Sequence, residues 1–236
     1  MAGAFEGKLA LVTGAGRGIG AATAEAIARE GAHVVLTARN ASALEEVEGR
    51  IYAAGGTATI APLDLTDGDS IARLAAAIGE RWQQLDTLVL NAAMLGSLSP
   101  VPAIDGKDFN KILTLNVLAN QAMIAAFDPM LRRSEAARLL ALTSSVGMHP
   151  RAYWGAYGAS KAALENLVLT YAEEVGNMTN VRAAIVDPGA TATLMRAQAF
   201  PGEDQSMIKQ PEDVASAIVD LLKSDFETGY RLEIGR

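Results

Sequence analysis

At 236 residues, with no Cys and only two His (His33 and His149), the chain excludes disulfide frameworks and Cys-ligated metal sites, and it is long enough to bury a core without either. A net charge of −7 argues against a nucleic-acid backbone or an anionic membrane as the main partner. The start, MAGAFEGKLALVTGAG, lacks a basic stretch ahead of a long apolar run, and no window reaches the length of a membrane span, so an unexported, cytoplasmic protein is expected.

In chain order, strand and helix signals alternate. KLALVT is a short apolar run closed by glycines, AATAEAIARE has helical spacing, HVVLTA is β-branched, and ASALEEVEGRIYAA is helical again. TATIAPLD, DSIARLAAAIGERWQ and DTLVLNAA continue the alternation, followed by a long helical stretch around FNKILTLNVLANQAMIAAF. ARLLALTSS, YGASKAALENLVLTYAEEVG, NVRAAIVDPG, PEDVASAIVDLLKS and YRLEIG complete the pattern. Near-continuous apolar strands separated by amphipathic helices predict one α/β domain over residues 1–236: a Rossmann-like, doubly wound parallel sheet of about seven strands, helices on both faces. Two segments, 93–106 and 191–210, break the regularity. The second joins a strand to a helix, contains Pro201-Gly202 followed by charge, and is expected to be a mobile substrate lid.

In such sheets ligands bind beyond the carboxyl ends of the strands. The first turn there is TGAGRGIG, Thr13 to Gly20. Gly14, Gly16, Gly18 and Gly20 let the backbone approach a pyrophosphate, and the helix beginning near Ile19 points free N–H groups at it. No Lys-Ser or Lys-Thr follows, so this is not a Walker loop. An NAD site usually carries an acid at the end of the second strand for the ribose 2′-OH. Here that place reads Thr37-Ala38-Arg39-Asn40. A missing carboxylate, with Arg39 and Arg17 both to hand, predicts a pocket for a 2′-phosphate and hence NADP (NADPH), with NAD still possible.

Tyr157 and Lys161 stand four residues apart, one helical turn, on the segment YGASK. Alone that spacing is equally an aromatic ring packed on a lysine stem. Taken together, TGxxxGxG near the start, the Asn91-Ala92 pair after the fourth strand, a serine after the fifth and YxxxK on the next helix resemble the short-chain dehydrogenase/reductase family over essentially the whole chain. The resemblance implies Ser144, Tyr157, Lys161 and Asn116 as catalytic residues; Ser144 is preferred to Ser145 because it lies thirteen residues before Tyr157 and three before Gly147. It further implies cofactor contacts from Asn91-Ala92, from Asp64-Leu65 near the adenine, from Pro188-Gly189 with Thr191 at the nicotinamide, and from Tyr157 and Lys161 themselves. Two departures stand out: the family's NAG is here Asn91-Ala92-Ala93, and the chain stops at LEIGR where many members continue. A homodimer or homotetramer is expected.

The chemistry follows from the pair. A phenol with a pKa of ~10 is a poor acid or base at neutral pH, and a neighbouring ammonium is expected to lower that value. Tyr157 would then give a proton to a carbonyl oxygen while NADPH delivers hydride, and Ser144 would hydrogen-bond the same oxygen. The family implies that Lys161 also holds the nicotinamide ribose and that Asn116 positions a water that refills the proton. The expected partner is a small-molecule carbonyl or alcohol, with no nucleic acid and no membrane. An alternative is an NADP-binding sensor or scaffold with little turnover. A serine hydrolase centred on Ser160 fails, because Ala162 replaces the second glycine of the nucleophile elbow and both histidines precede the serine. Met94, Leu95, Met148, His149, Tyr153, Trp154, Leu194, Met195 and Phe200 are the expected pocket walls and suit a hydrophobic or aromatic carbonyl.

Overall fold

The structure, a computed structural model, describes residues 3–235. Its frame is one sheet of seven strands in the order β3-β2-β1-β4-β5-β6-β7, every neighbouring pair parallel. The strands are β1 (Leu9–Thr13), β2 (His33–Ala38), β3 (Thr57–Pro62), β4 (Thr87–Leu90), β5 (Arg138–Leu142), β6 (Arg182–Asp187) and β7 (Tyr230–Glu233). The order reverses at β1 and β4, where loops leave the sheet in opposite directions and a crevice opens.

Strand residues alternate sides, and both sides are covered. Leu9 and Leu11 of β1 face the core beneath α3 (Gly68–Arg81), α5 (Ala119–Leu131) and α6 (Gly155–Gly176), with Ile71, Phe127 and Val168 among their partners. Ala10 and Val12 face the other core, beneath α1 (Gly18–Arg29), α2 (Ala41–Ala53) and α8 (Pro211–Lys223), which contribute Ile27, Val47 and Ile218. Burial on two faces explains why the central strands read as unbroken apolar runs. Phe127 is fully buried, and its truncation to Ala would cost about 3–5 kcal/mol.

The long helical stretch of the sequence is three pieces. α4 (Gly106–Leu113) opens on Asp105, whose carboxylate accepts from Asp108 N at 2.8 Å, and it runs into a π-helical turn at Thr114–Leu118 before α5 continues. Apolar spacing does not separate an α from a π turn within five residues, so the widening is invisible in the sequence. Segment 191–210 is also more structured than its pattern suggests. Thr191 bridges Lys209, α7 (Leu194–Ala199) is capped by Thr193 on Arg196 N at 3.1 Å, and Arg196 pairs with Glu203 at 2.5 Å. A six-residue helix is too short to show a period. Among the described residues, no helix is long and apolar enough to cross a membrane.

Candidate active site

β1 ends at Thr13, and the chain turns through Gly14 at φ +66° and Gly18 at φ +55°, a left-handed region that side-chain-bearing residues avoid. Close approach is the second demand. A Cβ on Gly20 would lie 2.3 Å from Gly14 O and 2.4 Å from Asn91 Nδ2. Asn91 staples this turn: its Nδ2 donates to Thr13 O at 2.9 Å and Gly14 O at 3.2 Å, while the amides of Asn91 and Ala92 donate to Thr13 Oγ1 at 2.9 and 3.0 Å. The contribution of Thr13 was missed in the sequence because its partners lie 76 or more residues away. α1 then begins at Gly18 with no side-chain cap and no acid in its first turn. Among the described residues, the amide groups around Gly18, Ile19 and Gly20 thus form a positive end without a side-chain acceptor, and Gly16 keeps the wall facing Ala38 and Ala43 low.

Arg17 and Arg39 flank this end, both exposed, and among the described residues neither makes an ion pair or side-chain hydrogen bond. Asp64 lies past β3 and uses its carboxylate on its own loop, accepting from Thr66 N at 2.9 Å and Thr66 Oγ1 at 2.8 Å. Those two bonds, against the opposing cost of burial and with help from the charge of Arg39, hold Asp64 below the usual carboxylate range. Leu65 beside it is core.

The catalytic candidates meet at the ends of β5 and β6. Ser144 follows β5 in extended backbone, just before a tight turn at Ser145–Gly147. Tyr157 and Lys161 lie on the inner face of the first turns of α6, both buried. Lys161 Nζ donates to Leu142 O at 2.8 Å and stands 5.6 Å from the centre of the Tyr157 ring. Among the described residues, neither Tyr157 Oη nor Ser144 Oγ has a protein hydrogen-bond partner, and neither belongs to the fully enclosed unpaired atoms. Two polar tips, one on α6 and one just after β5, are therefore left without a protein partner.

One expectation is corrected. Lys161 does not bring the phenol down; burial first, and then the carboxylate of Asp187, push Tyr157 above its ordinary value of 10. The ammonium itself is destabilised. Burial brings Lys161 down to about 8, opposed by Glu165 and Asp187. Tyr157 carries its proton at neutral pH, as an ordinary phenol does, and burial widens that margin. Asn116 is fully buried on the π turn: its Oδ1 accepts from Met94 N at 2.9 Å, and its Nδ2 donates to Met94 O at 2.9 Å and Ser160 Oγ at 3.0 Å. Ser160 in turn donates to Tyr157 O at 2.7 Å. The amide of Asn116 thus fixes the 94 loop to α6.

Asp187 accepts from Gly189 N at 3.0 Å, and Thr191 Oγ1 donates to the carbonyls of Pro188 and Gly189 at 3.3 Å, which closes the loop after β6 on itself. Around the opening, the Trp154 ring lies 5.9 Å edge-on from Tyr157 and 5.7 Å from Phe200 of the 191–210 segment. Met148 and Tyr153 are exposed, and Met195 is half-buried. Tyr153 has φ +74°, a strained backbone for a tyrosine. Leu95 is core, 4 % exposed, and does not line an opening as the sequence suggested. Gly96 next to it has φ +69°, and a Cβ there would lie 2.2 Å from Ile112 Cδ1, so the backbone is packed closely on α4.

An uncapped glycine turn and a buried Tyr–Lys step at the same end of a parallel sheet define a Rossmann-like nucleotide-fold class. Comparison with known proteins makes the class specific. The family model for short chain dehydrogenase matches residues 8–204, and the chain belongs to that family. The uncharacterized oxidoreductase YciK of Escherichia coli is 35 % identical over 221 residues, 92 % of this chain and 87 % of that protein. A solved short chain dehydrogenase structure from Pseudomonas syringae matches with TM-score 0.95 at 39 % identity, covering 99 % of this chain and 96 % of the other. One from Shigella flexneri, complexed with NADP, matches with TM-score 0.94 at 34 % identity over 99 % of both chains.

Proposed function

We propose that this oxidoreductase transfers hydride between NADPH and a carbonyl/alcohol pair, with Tyr157 as the acid and base. The observation that carries this reading is the pair of polar tips, Tyr157 Oη and Ser144 Oγ, that lack a protein partner among the described residues, beside a Lys161 ammonium that spends one of its three donors on Leu142 O. The glycine turn fits a pyrophosphate: Gly14 and Gly20 leave no room for a side chain, and the start of α1 has no acceptor of its own. Arg17 and Arg39 would hold the 2′-phosphate of NADP, where Ala38 leaves out the acid that NAD sites use. When bound, the nicotinamide supplies the hydride.

Tyr157, a phenol that burial and Asp187 push further above its ordinary value, gives its proton to the carbonyl oxygen as negative charge develops there. Ser144 donates a second hydrogen bond to that oxygen. Lys161, an ammonium at pH 7 with its value near 8, supports the phenolate left behind and holds the ribose of the cofactor. Asn116 keeps α6 and the 94 loop in register, so its part is positioning. The mouth formed by Trp154, Phe200, Met148 and Met195 suits an apolar or aromatic carbonyl.

The test follows NADPH consumption by the purified protein over ketones, aldehydes and quinones, with Tyr157→Phe beside it. Consumption that depends on a carbonyl and vanishes in the variant is expected. Equal turnover in the variant would overturn the assignment of the acid.

A further inference from the structure

Beneath Lys161 lies a carboxylate that no sequence motif singles out. Glu165 stands one helical turn further along α6 and is 6 % exposed. It accepts a hydrogen bond from Thr143 Oγ1 at the end of β5 on one oxygen, and it pairs with the guanidinium of Arg231 on the other. Gly147 leaves it space, since a Cβ there would come within 3.0 Å of Glu165 Oε1. Arg231 belongs to β7, the edge strand, sixty-six residues away in sequence. A carboxylate taken into the interior needs charge and hydrogen bonds to offset its lost hydration. Arg231 and Thr143 supply these, and Lys161 is the buried cation on the same helix.

We propose that Glu165, clamped by Thr143 and Arg231, is a positioning residue for the reaction: its carboxylate keeps Lys161 an ammonium under Tyr157, and β7 thereby sets the charge of the site. This rests on the role assigned to Lys161 above. Among the described residues, the titratable groups facing Lys161 are Tyr157 and Glu165 on α6 and Asp187 at the end of β6, with Arg231 of β7 behind Glu165. From β5 come only the Leu142 carbonyl and the Thr143 hydroxyl. The electrostatic direction found for Lys161 agrees, with burial lowering it and Glu165 the larger of the two opposing charges.

Opposite charge changes then give opposite effects. Glu165→Gln keeps the shape and removes a negative charge, so Lys161 loses its proton at lower pH; Arg231→Met removes a positive charge, so Lys161 holds its proton to higher pH. The experiment is an NMR titration of the Lys161 13Cε signal in the protein without cofactor, the signal being assigned by its loss in Lys161→Met. A fall of about one pH unit in Glu165→Gln and a rise in Arg231→Met are expected. Shifts of the same sign, or none, would overturn the proposal, since a merely structural clamp has no reason to give opposite signs. Arg231 lies on an edge strand with its side chain 22 % exposed and belongs to neither apolar core, so its replacement removes the ion pair on Glu165 and no core side chain, and the fold of the variant is checked by circular dichroism. Should Glu165→Gln fail to fold, the Arg231→Met shift alone decides: upward supports, unchanged refutes. The pH dependence of the NADPH dissociation constant should move with the titration. Because the titration needs neither cofactor nor turnover, an active Tyr157→Phe would sink the catalytic reading and leave this result standing.

Discussion

The two ends of the crevice are built on opposite principles. Around Tyr157 the neighbouring polar side chains hold partners within the protein, Lys161 at Leu142, Asn116 at Met94 and Ser160, Glu165 at Thr143 and Arg231, while among the described residues Tyr157 Oη and Ser144 Oγ have none. Around Arg17 and Arg39 almost nothing is so paired, and both guanidiniums stand in solvent. The difference is one of desolvation. A buried charge must be paired before any ligand arrives, whereas an exposed arginine is satisfied by water until a phosphate displaces it. The first end is therefore preorganised, and the charges of the second are held in reserve for a ligand.

Four experiments would break or sharpen that contrast. The largest effect is expected at the preorganised end: Tyr157→Phe keeps the ring and removes the proton, so kcat should fall at least ~100-fold while NADPH affinity changes little, as steady-state kinetics and a fluorescence titration would show. At the open end, Arg39→Ala removes a charge-assisted bond worth roughly 1.5–3 kcal/mol, so the dissociation constant for NADPH should rise about tenfold to a hundredfold. NADH should barely respond. Ala38→Asp should go further by repelling the phosphate and accepting the 2′-OH of NADH, and an unchanged preference in both variants would reduce Arg39 to a solvated surface charge.

Third in size is a stability effect from Lys161. Its value in the folded protein, about 8, lies below its ordinary 10.5, so between these pH values the unfolded chain binds more protons and folding stability rises with pH. Below about 8 the whole cost of burying the ammonium is present. Urea unfolding of the parent and of Lys161→Met should diverge across this window by on the order of 1–3 kcal/mol. Parallel curves would mean that the buried lysine is not strained. The smallest effect concerns segment 191–210, the proposed lid. Thr193 lies within 3.4 Å of where a Cβ on Gly18 would stand, so a phosphate on the glycine turn should touch it. Hydrogen exchange across 191–210 should slow when NADPH is added, and exchange unaffected by cofactor would remove the lid.

Much of this molecule is legible without a structure. The alternation of apolar strands and amphipathic helices predicts the parallel sheet, because burial on two faces writes itself into each strand, and the glycines of TGAGRGIG announce a turn that only they can make. Tyr157 and Lys161 show as a pair because one helical turn is a local relation. The same reasoning mistakes the electrostatics. Proximity to Lys161 suggests a lowered phenol, and burial, which depends on what α6 packs against, reverses the sign.

What tertiary structure alone decides has a common physical cause: the partners are distant in sequence. Thr13 and Asn91 meet across 78 residues, Asn116 and Ser160 across 44, Glu165 and Arg231 across 66. Each is an ordinary polar side chain until the sheet brings it to its partner. Local propensity and periodicity determine the elements and the turn residues, since those energies act over a few residues. The charge on Lys161, the direction of the Tyr157 shift and the π turn that aims Asn116 are settled by burial and hydrogen-bond matching, which exist only once the chain has folded.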